Sequence, residues 1–169
     1  LQIISAIIDM DDVQLVIAGF GKDEHELLQL FSRSKNVKYI GRISYEDVIR
    51  WSLKADLLFA LYDTIVPNNK YASPNKLFEA MMCGKPILVN KGTAMAEIVS
   101  KENCGLVVNY NKYEIKKAIE LLKYDPTLCV KLGNNGRKAY EIKYDWSIME
   151  GRLLNLYHNL TYNSYYNSP

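Results

Sequence analysis

The chain has 169 residues, 49% apolar and 24% charged, enough for one ordinary globular core, with nothing to suggest a second domain. A formal charge of +2, an isoelectric point near 8.3 and the absence of any Lys/Arg block argue against nucleic acid as a partner. Cys83, Cys104 and Cys129 are too few and too far apart for a disulfide framework or a CxxC metal site, which fits a reducing cytoplasm, and no run of about 18 apolar residues is present to span a membrane.

The chain opens on Leu1 without a basic segment or cleavage site and is amphipathic from the outset, which predicts a start in mid-helix and the excised C-terminal half of a longer protein. Residues 13–18 (VQLVIA) are nearly all apolar and run into Gly19-Phe20-Gly21. Residues 23–31 follow with Leu27, Leu28, Leu30 and Phe31 at helical spacing, completing a βα unit. Residues 37–40 predict a second strand leading into Gly41-Arg42-Ile43. Ser44 then caps a helix with Asp47 at its third position and Val48, Ile49 and Leu53 as its apolar face. Residues 56–62 (DLLFALY) read as a buried third strand, and residues 63–71 as a polar loop long enough to reach over a ligand.

The segment Ala72-Ser73-Pro74-Asn75-Lys76-Leu77-Phe78-Glu79-Ala80-Met81-Met82-Cys83-Gly84-Lys85-Pro86 comes next. It predicts a helix with Ser73 as N-cap, Pro74 at the first helical position, Gly84 as the stop, and Pro86 opening another apolar strand over residues 87–89. A short helix over residues 93–100 and a fifth strand over residues 105–108 follow. This alternation predicts an α/β fold, a Rossmann-like doubly wound parallel sheet with helices on both faces. After Tyr110 the pattern is helical only. Ile115, Ala118, Ile119 and Leu122 share a face, Asp125-Pro126 starts a helix carrying Leu128 and Leu132, and Gly133 and Gly136 are expected to break it. From Trp146, the series Met149, Leu153, Leu156 and Leu160 makes a last amphipathic helix. The domain is therefore expected over residues 1–160, with residues 161–169 a polar, poorly ordered tail.

The helix after Ser73 carries the chemistry. Its N-terminus presents unpaired N–H groups and a partial positive charge, worth about 0.3–1 kcal/mol toward an anion at an exposed site, and Lys76 adds a full charge. Glu79, one turn deeper, would repel a phosphate, but its carboxylate can accept two hydrogen bonds from a vicinal diol such as a ribose. Together these features describe a nucleotide-sugar. The plainer reading, a surface ion pair between Lys76 and Glu79 three residues apart, requires none of the flanking signals.

The segment Ser73-Pro74-Asn75-Lys76-Leu77-Phe78-Glu79 followed by Gly84-Lys85-Pro86 resembles the donor-binding motif of retaining GT-B glycosyltransferases of group 1, and the likeness extends over most of the chain. There it is the second half of an E-x₇-E signature, whose last acid binds the nucleotide ribose, a role that falls on Glu79. The first acid of the signature falls on Tyr71, as in a subgroup associated with surface-polysaccharide assembly. The resemblance implies one half of a GT-B fold with extra C-terminal helices that cross back onto an N-terminal domain. It implies a nucleoside diphosphate sugar, UDP-sugar or GDP-sugar, as donor substrate, a polysaccharide or lipid-linked acceptor, and no cofactor. Lys76 and Glu79 are the expected catalytic pair. Gly19, Gly21, Gly41, Arg42, Ile43, Ser73, Pro74, Asn75, Lys76, Leu77 and Glu79 are the expected donor-binding residues.

The resemblance places Gly41, Arg42 and Ile43 at the nucleobase, held largely by main-chain groups, with Arg42 either stacking on the base or a solvated loop arginine. Gly19-Phe20-Gly21 lacks the third glycine of a dinucleotide fingerprint, since position 24 is Glu24, and reads either as a tight turn or as a close approach to the donor. Lys85 reads as a solvated turn residue and Met81, Met82 and Cys83 as packing; His25 and His158 are given no role, and Glu97 a supporting one. No HxH, DxD or carboxylate cluster has metal-ligand spacing, and Asp11-Asp12 is a loop pair. The acceptor-binding domain and a further phosphate-binding basic pair are expected upstream, so the isolated chain should bind donor weakly and transfer nothing. Location is expected in the cytoplasm, with peripheral membrane association of the full-length enzyme left open. Two other classes compete. A GT-B-like UDP-sugar epimerase needs more acid/base carboxylates and histidines than this chain offers, and a receiver-like module needs an acid at the end of a central strand, where residues 13–18 end in Ala-Gly.

Overall fold

The computed structural model describes residues 2–21, 24–31 and 34–166. Leu1, Asp23 and residues 167–169, on which some of the expectations fall, lie outside the described residues, as do the side chains of Leu30 and of residues 162–166. In chain order the elements are α1 (Gln2–Ile7), β1 (Leu15–Ile17), α2 (Glu24–Phe31), β2 (Val37–Tyr39), α3 (Tyr45–Lys54) and β3 (Leu58–Ala60). Then come α4 (Pro67–Tyr71), α5 (Asn75–Met82), β4 (Ile87–Asn90), α6 (Ala94–Glu102), β5 (Gly105–Val108), α7 (Lys112–Tyr124) and α8 (Pro126–Ala139). A π-helical turn (Tyr140–Tyr144) leads into α9 (Trp146–Tyr166).

All strand pairs are parallel, but they form two ladders, β1-β2 and β3-β4-β5. Side chains of both ladders nevertheless share one core, with Leu15, Ile17 and Val37 packed in the same cluster as Phe59 and Leu88.

Period-two alternation assigns each strand residue to a layer. Phe59, Leu88, Leu106 and Val108 pack with Leu15, Phe31 and the inward faces of α1 (Ile4, Ile7) and α7 (Ile115, Ile119). Leu58, Ala60, Ile87, Val89 and Val107 point the other way, onto Leu77, Ala80 and Met81 of α5 and Met95, Ala96 and Val99 of α6. Helices thus cover both faces, and β4, fully buried along its length, is the centre of the core.

Several local expectations are corrected. Residues 63–71 are not all loop: Pro67 starts the short helix α4, its fixed φ suiting the first helical position. Leu53 is exposed, and α3 turns Ser52 inward instead. Gly133 and Gly136 do not break α8, which runs unbroken from its Asp125 cap. They are buried because α8 packs on the end of α5: a Cβ on Gly133 would lie 2.1 Å from the Gly84 carbonyl oxygen, and one on Gly136 3.2 Å from the Cys104 Cβ. The change of course comes later, at the π-helical turn. There Glu102 accepts from Lys143 Nζ at 2.6 Å and from the Tyr144 hydroxyl at 3.2 Å, and Tyr144 packs on Phe78 of α5 at 5.3 Å between ring centroids. The last helix continues past residue 160, the expected domain end, to Tyr166. Its Leu153, Leu156 and Leu160 are exposed.

Candidate donor-binding site

Three loops meet the carboxyl ends of the strands, where open parallel sheets bind ligands. Gly19–Gly21 follows β1, Gly41–Ile43 follows β2, and the segment of residues 61–74 links β3 to α5. The first two are tied together by Gly19 N–H donating to the Gly41 carbonyl at 2.9 Å. Gly41 adopts φ 67°, a left-handed conformation that glycine enters without strain.

At α5 the expected cap is displaced by one residue. Pro74 is the N-cap, with extended backbone, and no side chain caps the helix, so Ser73 is exposed without the capping role and Pro74 lies before the first helical residue. The reason is steric: proline disfavours the helical region for the residue before it, and here its own ψ is extended as well. The consequence is a barer helix tip. The N–H groups of Asn75 and Lys76 precede the first intrahelical bonds, both residues are exposed, and Lys76 forms no ion pair among the described residues. Leu77 is different: its side chain is fully buried and its N–H donates to the Pro74 carbonyl at 3.2 Å, so it anchors the tip to the core.

The other end of α5 is closed by a Schellman motif, with Lys85 N–H donating to Ala80 O at 2.9 Å and Gly84 N–H to Met81 O at 3.0 Å, and Gly84 at φ 63°. Arg137 of α8 donates to the remaining Met82 carbonyl. This fixes the axis along which the tip points.

Glu79 is half-buried and does not pair with Lys76. Its neighbour is Tyr45, the first residue of α3, which the Ser44 cap sets against α5; Ser44 Oγ accepts from Asp47 N–H at 3.1 Å. Although Tyr45 is largely exposed, partial desolvation against α5 and then the adjacent Glu79 carboxylate push its phenol above the ordinary range. Since Tyr45 follows Gly41–Ile43 by two residues, the loop after β2 and the acid on α5 belong to one surface. Tyr71, in place of the first acid of the signature, stands exposed at the end of α4.

Sequence reasoning missed three contributors. Tyr45 carried no signal beyond following a cap. Phe20 was read only as the spacer between two glycines. Asn90, fully buried at the end of β4, accepts from Tyr62 N–H at 2.8 Å and donates to Tyr62 O at 2.9 Å, pinning the exit of β3; a polar residue closing an apolar strand could have flagged it. Of the other residues considered, Lys85 is half-buried, Glu97 is exposed in the first turn of α6, and Met81 is core. The three cysteines are free thiols, with burial pushing Cys104 up to about 11. Among the described residues no cluster of His, Cys, Asp or Glu could hold a metal ion, and no helix is long and apolar enough to cross a membrane.

A parallel α/β layer covered by helices on both faces, with a bare helix tip at its carboxyl edge, defines a domain of the Rossmann-like kind. Residues 2–139 match the family of glycosyl transferases group 1, and the chain belongs to that family. It is 32% identical over 149 residues to a GDP-mannose-dependent monoacylated alpha-(1-6)-phosphatidylinositol monomannoside mannosyltransferase of Corynebacterium glutamicum, covering 86% of this chain and 39% of the relative. Among solved structures it resembles sucrose-phosphate synthase from Thermosynechococcus elongatus, with a TM-score of 0.81 at 21% identity over 96% of this chain and 42% of the other. It also resembles Anabaena Alr3699/HepE in complex with UDP-glucose, with a TM-score of 0.79 at 20% identity over 93% and 44%. These neighbours identify the fold as half of a GT-B architecture, and the chain spans about two fifths of the length of the proteins it matches.

Proposed function

We propose that this chain is the donor-binding half of a hexosyltransferase that moves a sugar, with retention of configuration, from a nucleoside diphosphate to a polysaccharide or lipid-linked acceptor bound by a second, N-terminal domain. The observation that carries the reading is the combination on α5 of an exposed tip, with Lys76 in no ion pair among the described residues, and a half-buried Glu79 one turn deeper. In this reading Asn75 and Lys76 N–H groups, the helix dipole and the Lys76 ammonium receive the diphosphate. Ser73 and Pro74 shape the approach, Leu77 holds the tip to the core, Glu79 accepts the ribose hydroxyls, and Gly41, Arg42 and Ile43 meet the base while Gly19 and Gly21 let backbone approach the donor. Negative charge grows on the diphosphate as it leaves, so groups already aimed at it stabilise the transition state more than the ground state.

Relatives support a donor of this kind by their names, one using GDP-mannose and one solved with UDP-glucose. The free thiols fit a reducing compartment, and we place the domain in the cytoplasm. Calorimetric titration with UDP, GDP and uridine tests the phosphate half of the proposal. UDP and GDP are expected to bind at least about tenfold more tightly than uridine, with Lys76→Ala narrowing the gap. Equal affinities for UDP and uridine would remove the helix tip from the account.

A further inference from the structure

Eight residues are too few for a helix to hold itself in water, so the attitude of α5 is set by what packs on it. Leu77 is sunk in the core near one end, and the Gly84 turn rests on α8 at the other. A third contact lies to the side of the axis: Phe78 packs on Tyr144 of the π-helical turn, with ring centroids 5.3 Å apart and planes at 43°. Tyr144 is itself tethered, its hydroxyl donating at 3.2 Å to Glu102, the last residue of α6. Glu102 has a side chain only 7% exposed and also accepts from Lys143 at 2.6 Å. The turn is closed by Asp145 N–H donating back five residues to the Tyr140 carbonyl at 2.8 Å, a geometry that is rare and recurs at functional sites.

Glu79 follows Phe78 on α5 and is half-buried beside Tyr45. The same turn reaches this neighbourhood a second time, since Tyr140 packs on the core cluster of Phe78 and Tyr144 and its charge is felt by the Tyr45 phenol. With side chains a helix is about 5–6 Å in radius, so a roll of about 10° carries the Glu79 carboxylate through about 1 Å. Hydrogen bonds hold over a distance range of only about 0.5 Å, so such a roll is enough to lose them.

We propose that Tyr144 is a positioning residue for Glu79: tethered to Glu102, its ring sets the roll of α5 through Phe78 and so aims the acid at the donor's ribose, without touching the donor itself. This role rests on the donor-site reading above and adds to it a residue from the C-terminal turn. Its test uses the chain as it stands, titrated by calorimetry with UDP and with 2′,3′-dideoxy-UDP, which offers no diol. The wild type is expected to prefer UDP by about tenfold, through hydrogen bonds to a charged group. Tyr144→Leu keeps apolar bulk but no ring, and should cut that preference to about threefold or less by weakening UDP alone. Tyr144→Phe loses only the tether, and should keep a preference of about fivefold or more. Phe78→Leu breaks the contact from the other side and should act as Tyr144→Leu does, and adding Tyr144→Leu to it should change the preference no further. Thermal denaturation checks that each variant is folded at the titration temperature.

A wild-type preference kept in Tyr144→Leu or Phe78→Leu would overturn the positioning role while leaving the donor site standing. Equal losses for the two ligands, which a merely structural contact gives, would do the same. A wild-type chain that binds UDP and the dideoxy compound alike would overturn the ribose role of Glu79 and the positioning role with it.

Discussion

Replacing Gly133 by alanine puts a methyl carbon 2.1 Å from the carbonyl oxygen of Gly84 and 2.9 Å from its carbonyl carbon, where ordinary contact begins near 3.4 Å. The obstructing atoms are backbone, and they belong to the Schellman turn that ends α5, so no side chain can swing aside; α8 and the turn must separate by more than an ångström. Such overpacking costs about 3 kcal/mol, at the upper end of the usual range. Exchange of glycine for alanine inside a helix returns about 1 kcal/mol, leaving a net loss of about 2 kcal/mol. For a domain of this size that lowers the melting temperature by roughly 4–8 °C. Gly151 in α9 is the control, because among the described residues nothing lies within 4 Å of its added Cβ: the same exchange there should raise stability by up to about 1 kcal/mol. Urea and thermal denaturation of both variants measure the two signs. A Gly133→Ala protein as stable as the wild type would refute the close packing of α8 on α5, and with it the explanation of why two glycines lie inside a continuous helix.

Tyr45 is expected to act on the donor through Glu79: Tyr45→Phe should weaken UDP by about three- to tenfold in the wild type and not at all in a Glu79→Gln background, whereas equal losses in both would mean the phenol works independently. Asn90→Leu strands both polar groups of Tyr62 and should cost about 1–3 kcal/mol, with faster amide exchange at Tyr62 as the local signature; unchanged exchange would count against the pin. Lys143 and the Tyr144 hydroxyl hold the Glu102 carboxyl below its ordinary range, Lys143 being the larger cause. Because a depressed carboxyl stabilises the fold above its unfolded pKa, Glu102→Gln should be less stable than wild type at pH 7, and the gap should close as acidification passes below about pH 4.5. A gap that widens on acidification would reverse the sign of this pair.

Sheet, helices and signature were legible because their signals are local and repeated. Runs such as ILVN at β4 and the Ser44 cap act through neighbours in sequence, and Ser44 accepts from the Asp47 N–H as its spacing predicts; Thr93 and Asp125 cap the helices after them in the same local way. What was not legible depends on partners distant in the chain. Gly133 resembles a helix breaker until the Gly84 carbonyl is seen against it, and Phe20 resembles a spacer until Arg42 lies over it. The one-residue shift of the α5 cap turns on the extended ψ of Pro74, and the division of the strands into two ladders on tertiary placement, neither of which residue types encode. At the candidate site, spacing singled out Lys76 and Glu79 but also allowed an ion pair between them; the structure sets Glu79 beside Tyr45, and Lys76 forms no ion pair among the described residues.

The most direct measurement of the central claim is the affinity of wild type and Glu79→Ala for UDP and for 2′,3′-dideoxy-UDP, by calorimetry. If the acid on α5 grips the ribose while the tip holds the diphosphate, Glu79→Ala loses about tenfold or more for UDP, as expected for hydrogen bonds to a charged group. The dideoxy compound, which offers no diol, should bind both proteins alike. Equal UDP affinity in the two proteins would contradict the assignment of Glu79 to the ribose.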